Sequence, residues 1–153
     1  MSGKQEGAAQ DSIGAWAKRC YFAGRDVMDS VLRPHGLGSV QWYVLHRLAT
    51  AGPTIQRDLG RLLEIERATM SGIVATLVRK ALVEQVPDQA DQRQKLLRLT
   101  DAGAKLWAAL PDLSFIRAVA FGGMDEADIE TAIGVLRTAT ERLESLLEKG
   151  NRP

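Results

Sequence analysis

The stretch TIQRDLGRLLEIERATMSGIVATLVRKALVEQVPDQADQRQKLLRLTDAG, residues 54–103, decides the fold. From Ile65 the apolar residues Ile65, Met70, Ile73, Val74 and Leu77 recur at helical spacing, which predicts a helix with one buried face. Its other face shows Arg67, Ala68, Ser71, Gly72, Ala75 and Thr76, mostly short side chains, with Arg79 and Lys80 at the end. Small residues let a helix backbone approach base edges in a groove about 12 Å wide. A preceding helix, Ile55 to about Leu63, is expected to bury Ile55, Leu59, Leu62 and Leu63, with Gly60 where a bulky side chain would part the two helices.

After Lys80-Ala81 the pattern shortens to β-type runs, Val83 to Val86 and Leu96 to Leu99, joined by the polar loop Pro87 to Gln94. Leu97 and Leu99 alternate with Leu96 and Arg98, so one ribbon face packs on the helices. Asp91 and Arg93 stand two apart at the tip. A carboxylate there holds the guanidinium extended, which lowers the entropic cost of placing it in a minor groove. Helix pair, ribbon and a further helix after Leu99-Thr100 together suit a reader of double-stranded DNA.

The run Leu59-Gly60, Ile65, Thr69-Met70-Ser71, Leu77, Leu82-Val83, Asp91-Gln92-Arg93, Leu99-Thr100 and Gly103 resembles the MarR (multiple antibiotic resistance regulator) family. Gly36-Leu37 and Gln41 extend the resemblance over nearly the whole chain. It implies a mainly α fold, a winged helix-turn-helix with a two-stranded β wing, flanked by N- and C-terminal dimerisation helices. It also implies a homodimeric, sequence-specific regulator: a repressor, relieved by a small molecule, on a pseudo-palindromic operator. Three positions depart from the pattern. Gly72 stands where the family often has Arg, Ala81 where it usually has Gly, and Glu64 and Glu66 flank the turn. Ala81 implies a helix end that does not easily turn left-handed.

On this basis the recognition helix is expected to present Arg67, Ala68, Thr69, Ser71, Gly72 and Thr76 to bases or phosphates. Arg93, oriented by Asp91, is expected in the minor groove, with Lys95 and Arg98 on phosphates. Family members often bind phenolic or aromatic carboxylate effectors between the dimer seam and the reader. Trp16, Arg19, Trp42, Tyr43 and His46 are the residues here that suit such a site.

The ends of the chain are read as a dimer seam. Ile129, Leu136 and Leu143 repeat every seven residues, interleaved with Ile133, Thr140 and Leu147, a stripe for another helix. Asp125 is the expected N-cap. Ser12 is expected to cap an N-terminal helix striped by Ile13, Trp16, Cys20, Val27 and Val31, and Ser39 to cap the support helix that carries Trp42. Pro111 to Gly123 reads as a broken apolar connection, turning at Gly122-Gly123. The expected division is a tail over 1–11, support and dimerisation helices over 12–53 and the reader over 54–103. Dimerisation helices over 104–149 and a tail over 150–153 complete it.

Composition excludes much else. At 153 residues the chain is one to one-and-a-half domains long, with 45% apolar residues. No run approaches the ~18 to 20 apolar residues of a membrane span, and no signal peptide is read at the N-terminus, so the expectation is a cytoplasmic protein. Net charge is +1, but Arg67 to Arg98 holds six basic residues against three acids. Local placement is what phosphate contacts require.

His35, His46 and Cys20 have no metal-ligand or triad spacing, so neither a metal, a cofactor nor catalysis is expected. His35 reads as a turn residue. Some family members sense peroxide with an N-terminal cysteine, whose place falls near Gly14 here rather than at Cys20. Cys20 is read as packing. Two alternatives stay open: a winged protein-interaction module without DNA binding, and a cysteine-based peroxide sensor.

Overall fold

A computed structural model describes residues 12–150. The chain divides into two compact units, one up to Leu113 and one from Ser114.

In the first unit α1 runs Ile13–Leu32, and Ser12 Oγ accepts from Ala15 N at 3.1 Å, capping it as expected. Pro34 and the left-handed Gly36 close a short 3-10 turn before α2, Ser39–Ala51. Ser39 is not the cap. Gly38 occupies that position, the Gln41 side chain accepts its N–H, and Asp29 of α1 accepts from Ser39 N at 2.6 Å. A carboxylate from the neighbouring helix thus does what a local hydroxyl was expected to do, and Ser39 is buried.

Strand β1, Thr54–Ile55, leads into α3, Gln56–Leu62, and a turn through Glu64 (φ 55°) leads into α4, Arg67–Arg79. Strands β2, Val83–Pro87, and β3, Lys95–Leu99, form the antiparallel ribbon, with Val83 opposite Leu99 and Pro87 opposite Lys95. The ribbon is one residue longer per strand than the sequence suggested. β1 adds to its inner edge, Thr54 opposite Leu97, so the sheet is three-stranded in the order β1-β3-β2 rather than a two-stranded wing alone. Helix α5, Asp101–Ala109, follows; Thr100 Oγ1 accepts from Gly103 N at 3.0 Å and donates to Ala81 O at 2.6 Å.

Leu32, Val44, Leu45, Leu59, Met70, Val74, Leu77, Val83 and Leu97 are almost wholly buried. They come from α1 to α4 and the ribbon, so the sheet and four helices share one core. At about 25 cal/mol per Å² of apolar area, each such side chain contributes roughly 1.5–3 kcal/mol. Leu62 was expected in this core but is exposed. It ends α3 and stands about 60° round the helix from the buried Leu59. Ile65 and Ile73 are half-buried.

In the second unit α6, Ser114–Phe121, replaces the expected broken connection. Neither Gly nor Pro interrupts that run; the break falls at Gly122-Gly123, where Gly123 is left-handed. Helix α7, Glu126–Glu148, is capped by Asp125, which accepts from Ala127 N at 2.8 Å.

The stripes read as a seam are uncovered in the single chain. Ile13 is 64% exposed, Trp16 56%, Leu143 63% and Leu147 74%, and Ile133 and Leu136 are exposed as well. Cys20, expected to be packed, is also exposed. On α1 it is Met28 and Leu32 that reach the core.

Candidate nucleic-acid interface

Helix α4 buries Met70, Val74 and Leu77 and leaves Arg67, Ala68, Thr69, Ser71 and Gly72 exposed. A Cβ on Gly72 would meet nothing within 4 Å. Near the helix end Arg79 donates to Thr76 Oγ1 at 3.1 Å, and Thr76 donates to Gly72 O at 3.0 Å. Thr76 is therefore half-buried and engaged within its own helix.

At the wing tip Asp91 grips Arg93 as a fork. Arg93 Nε lies 3.0 Å from Oδ1 and its terminal nitrogen 3.2 Å from Oδ2, and Arg93 N donates to Oδ1 at 3.1 Å. The arrangement leaves the Arg93 side chain 91% exposed. Arg93's guanidinium and then its backbone amide hold the Asp91 carboxyl below the usual carboxylate range; burial opposes them, and the charge of Arg57 adds the smallest share.

Between α3, α4 and the wing lies a cleft of about 610 Å³. Arg57, Arg61, Arg67, Arg93 and Lys95 line it against two carboxylates, Glu64 and Glu66; Arg57 is paired with Asp58 at 4.0 Å and Arg93 with Asp91, so a small local excess of positive charge remains. Gln56, Ser71 and Gln94 also face it. Arg57 and Arg61 escaped the sequence reading, which took α3 for its apolar face alone; their four-residue spacing was the available signal. Three of the noted basic residues are engaged elsewhere: Arg98 with Glu84 across the ribbon at 2.7 Å, Lys80 with Gly36 O and Gln41, and Arg79 with Thr76.

Comparison with known proteins fits this arrangement. The family model described as MarR family matches residues 35–94. The repressor NicR of Pseudomonas putida is 31% identical over 128 residues, covering 83% of this chain and 81% of NicR. The chain belongs to the MarR family. Its winged helix-turn-helix is that of DNA-binding transcriptional regulators. The structure of an Escherichia coli MarR mutant complexed with operator DNA aligns with a TM-score of 0.74 at 19% identity, covering 83% of this chain and 92% of that one. That of PcaV from Streptomyces coelicolor in complex with its natural ligand aligns at 0.69 and 26%, covering 84% and 91%.

This MarR-family chain also gathers aromatic rings away from the cleft. Trp42 stacks on His46 with centroids 4.9 Å apart and planes 13° from parallel, and Trp107 of α5 lies 5.3 Å from Trp42 and 5.6 Å from His46. Tyr43 stands edge-on to Trp42 and donates to Met28 Sδ at 3.6 Å. Trp16 and Arg19 form a separate pair on α1, the guanidinium 5.0 Å from the ring. Trp107 was missed because its partners lie some sixty residues back, beyond any local periodicity.

Proposed function

We propose that this protein is a homodimeric, ligand-relieved repressor that binds a pseudo-palindromic operator through the cleft between α4 and the wing. The observation that carries this reading is the five-cation lining of that cleft, which joins the recognition helix to the forked Arg93. In it Arg67, Ala68, Thr69, Ser71, Gly72 and Thr76 serve the major groove. Arg93, steered by Asp91, serves the minor groove, and Lys95, Arg57 and Arg61 serve phosphates, joined by Arg98 where it leaves Glu84 for the DNA. The exposed stripes of Ile13 and Trp16, and of Ile133, Leu136, Leu143 and Leu147 with the half-buried Ile129, meet those of a second copy.

The effector is an aromatic or phenolic acid seated against Trp42, Tyr43 and His46, with Trp16 and Arg19 as further contacts. Support comes from the open ring cluster and from PcaV, a ligand-bound relative at 26% identity. Regulation is the whole activity in this reading; no catalysis is assigned. No helix among the described residues is long and apolar enough to cross a membrane, which agrees with a place in the cytoplasm beside the DNA.

The test is fluorescence anisotropy on an operator selected from genomic fragments. Arg93→Ala is expected to weaken binding by about 1–3 kcal/mol, mostly at A·T-rich flanks. Arg67→Ala is expected to change which bases are preferred. Affinity falls steeply with salt as phosphate contacts release counterions. If both variants bind like wild type, this face does not read DNA.

A further inference from the structure

A chain of three side chains crosses the reader. Gln85 of β2 donates through Nε2 to Oε1 of Gln56, the first residue of α3, and Gln56 Nε2 in turn lies 3.4 Å from Ser71 Oγ on α4. The chain ties wing, β1–α3 junction and recognition helix together, and two of its members face the basic cleft. Neither Gln56 nor Gln85 is used by the reading above.

A side-chain amide has one accepting end and one donating end, while a serine hydroxyl has one proton and two lone pairs. Gln85 occupies the accepting end of Gln56, which leaves the NH₂ end toward Ser71. Ser71 then spends a lone pair on Gln56, and its proton stays free to point into the cleft.

We propose that Gln56 is a positioning residue that fixes the hydroxyl of Ser71 as a donor toward the DNA, so that each half-site must offer an acceptor edge at that position. The proposal rests on the cleft being the DNA-reading face. Guanine O6 or N7, thymine O4 and adenine N7 satisfy such a donor; the exocyclic amines of cytosine and adenine oppose it, so cytosine is disfavoured most. In free protein, water satisfies either polarity and the bias is slight. Once DNA excludes water, a donor set against a donor is left unpaired, and the mismatch is felt in full.

The experiment selects operators from a randomised duplex library with the full-length protein as wild type, Gln56→Glu, Gln56→Leu and Ser71→Ala, and reads relative affinity at each base position. Wild type is expected to prefer an acceptor edge at one position per half-site. A carboxylate only accepts, so in Gln56→Glu the Ser71 proton turns inward and the hydroxyl offers lone pairs to DNA. Preference at that single position then swings toward cytosine N4 or adenine N6 by about tenfold. The added negative charge weakens every sequence alike and cancels in the ratio. Gln56→Leu and Ser71→Ala, the second at an exposed position, are expected to flatten that position only.

An unchanged base ranking in Gln56→Glu and Ser71→Ala overturns the proposal, as does a loss uniform across sequences, which would place Ser71 on a phosphate. Arg67→Ala and Arg93→Ala run in the same assay. If those two lose binding while Gln56→Glu keeps its ranking, the side-chain chain is wrong and the DNA face stands. If neither loses binding nor changes its base ranking, the DNA face itself is wrong.

Discussion

Ala81 sits at φ 59° between α4 and β2, where a Cβ crowds the following carbonyl. The sequence suggested that an alanine would avoid this conformation; the structure adopts it, because Ala81 N bonds Val78 O and Thr100 holds Ala81 O. Ala81→Gly is expected to relieve about 1–2 kcal/mol of strain and to forfeit about half to one in chain entropy. A small rise in melting temperature, read by thermal circular dichroism, would bear this out; a fall would show no strain there. Gly103 is the opposite case. A Cβ on it would lie 2.1 Å from Leu82 O and 3.2 Å from Leu99 Cδ2. Gly103→Ala therefore forces backbone apart and is expected to cost about 1–3 kcal/mol or more, whereas Gly72→Ala, meeting nothing, should gain up to about 1 kcal/mol from helix propensity. Both comparisons come from the same melting experiment. The sequence marked Gly103 and Gly72 only as points of resemblance and departure, since which glycine is crowded depends on a carbonyl some twenty residues away.

At the scale of elements the wing makes a pH prediction. Asp91 has its folded pKa lowered, first by the Arg93 side chain, then by the Arg93 amide, with a lesser share from Arg57. The stabilisation is present above the ordinary carboxylate range and is lost as pH falls through the lowered value. An NMR titration of the Asp91 carboxyl carbon is expected to show a midpoint below the ordinary one, returning upward in Arg93→Ala. An ordinary midpoint in wild type would dissolve the fork. Helices α1, α4 and α7 were legible because apolar periodicity over a dozen or more residues outweighs local noise, and the Asp91–Arg93 fork because its members are two residues apart. Strand β1 was not: two residues carry no alternation, and only its pairing with Leu96 and Leu97 makes it a strand. The cleft was half legible. Arg67, Arg93 and Lys95 stood out on elements already assigned to DNA, but Arg57 and Arg61 join them only once α3 packs beside the wing.

For the molecule as a whole, the uncovered apolar stripes of α1 and α7 demand a partner, since monomers rarely leave such area in water. Sedimentation at micromolar concentration is expected to show a dimer. Leu136→Asp with Leu143→Asp places charges on the stripe, each costing several kcal/mol in a closed interface, and should give monomer or unfolded chain. A wild-type monomer at tens of micromolar would end the dimer reading. The seven-residue repeat made this stripe readable from sequence; the exposure of Cys20 was not, because apolar spacing along α1 does not say which of its turns reach the core, and only Met28 and Leu32 do. A mechanical consequence follows from Gly103. At Gly103 the backbone of α5 approaches Leu82, just before β2, so closely that no methyl group fits; Trp107 stands one helical turn beyond that contact and the wing begins one residue after Leu82. A ligand that displaced Trp107 from Trp42 would therefore load a helix whose first turn abuts the base of the wing.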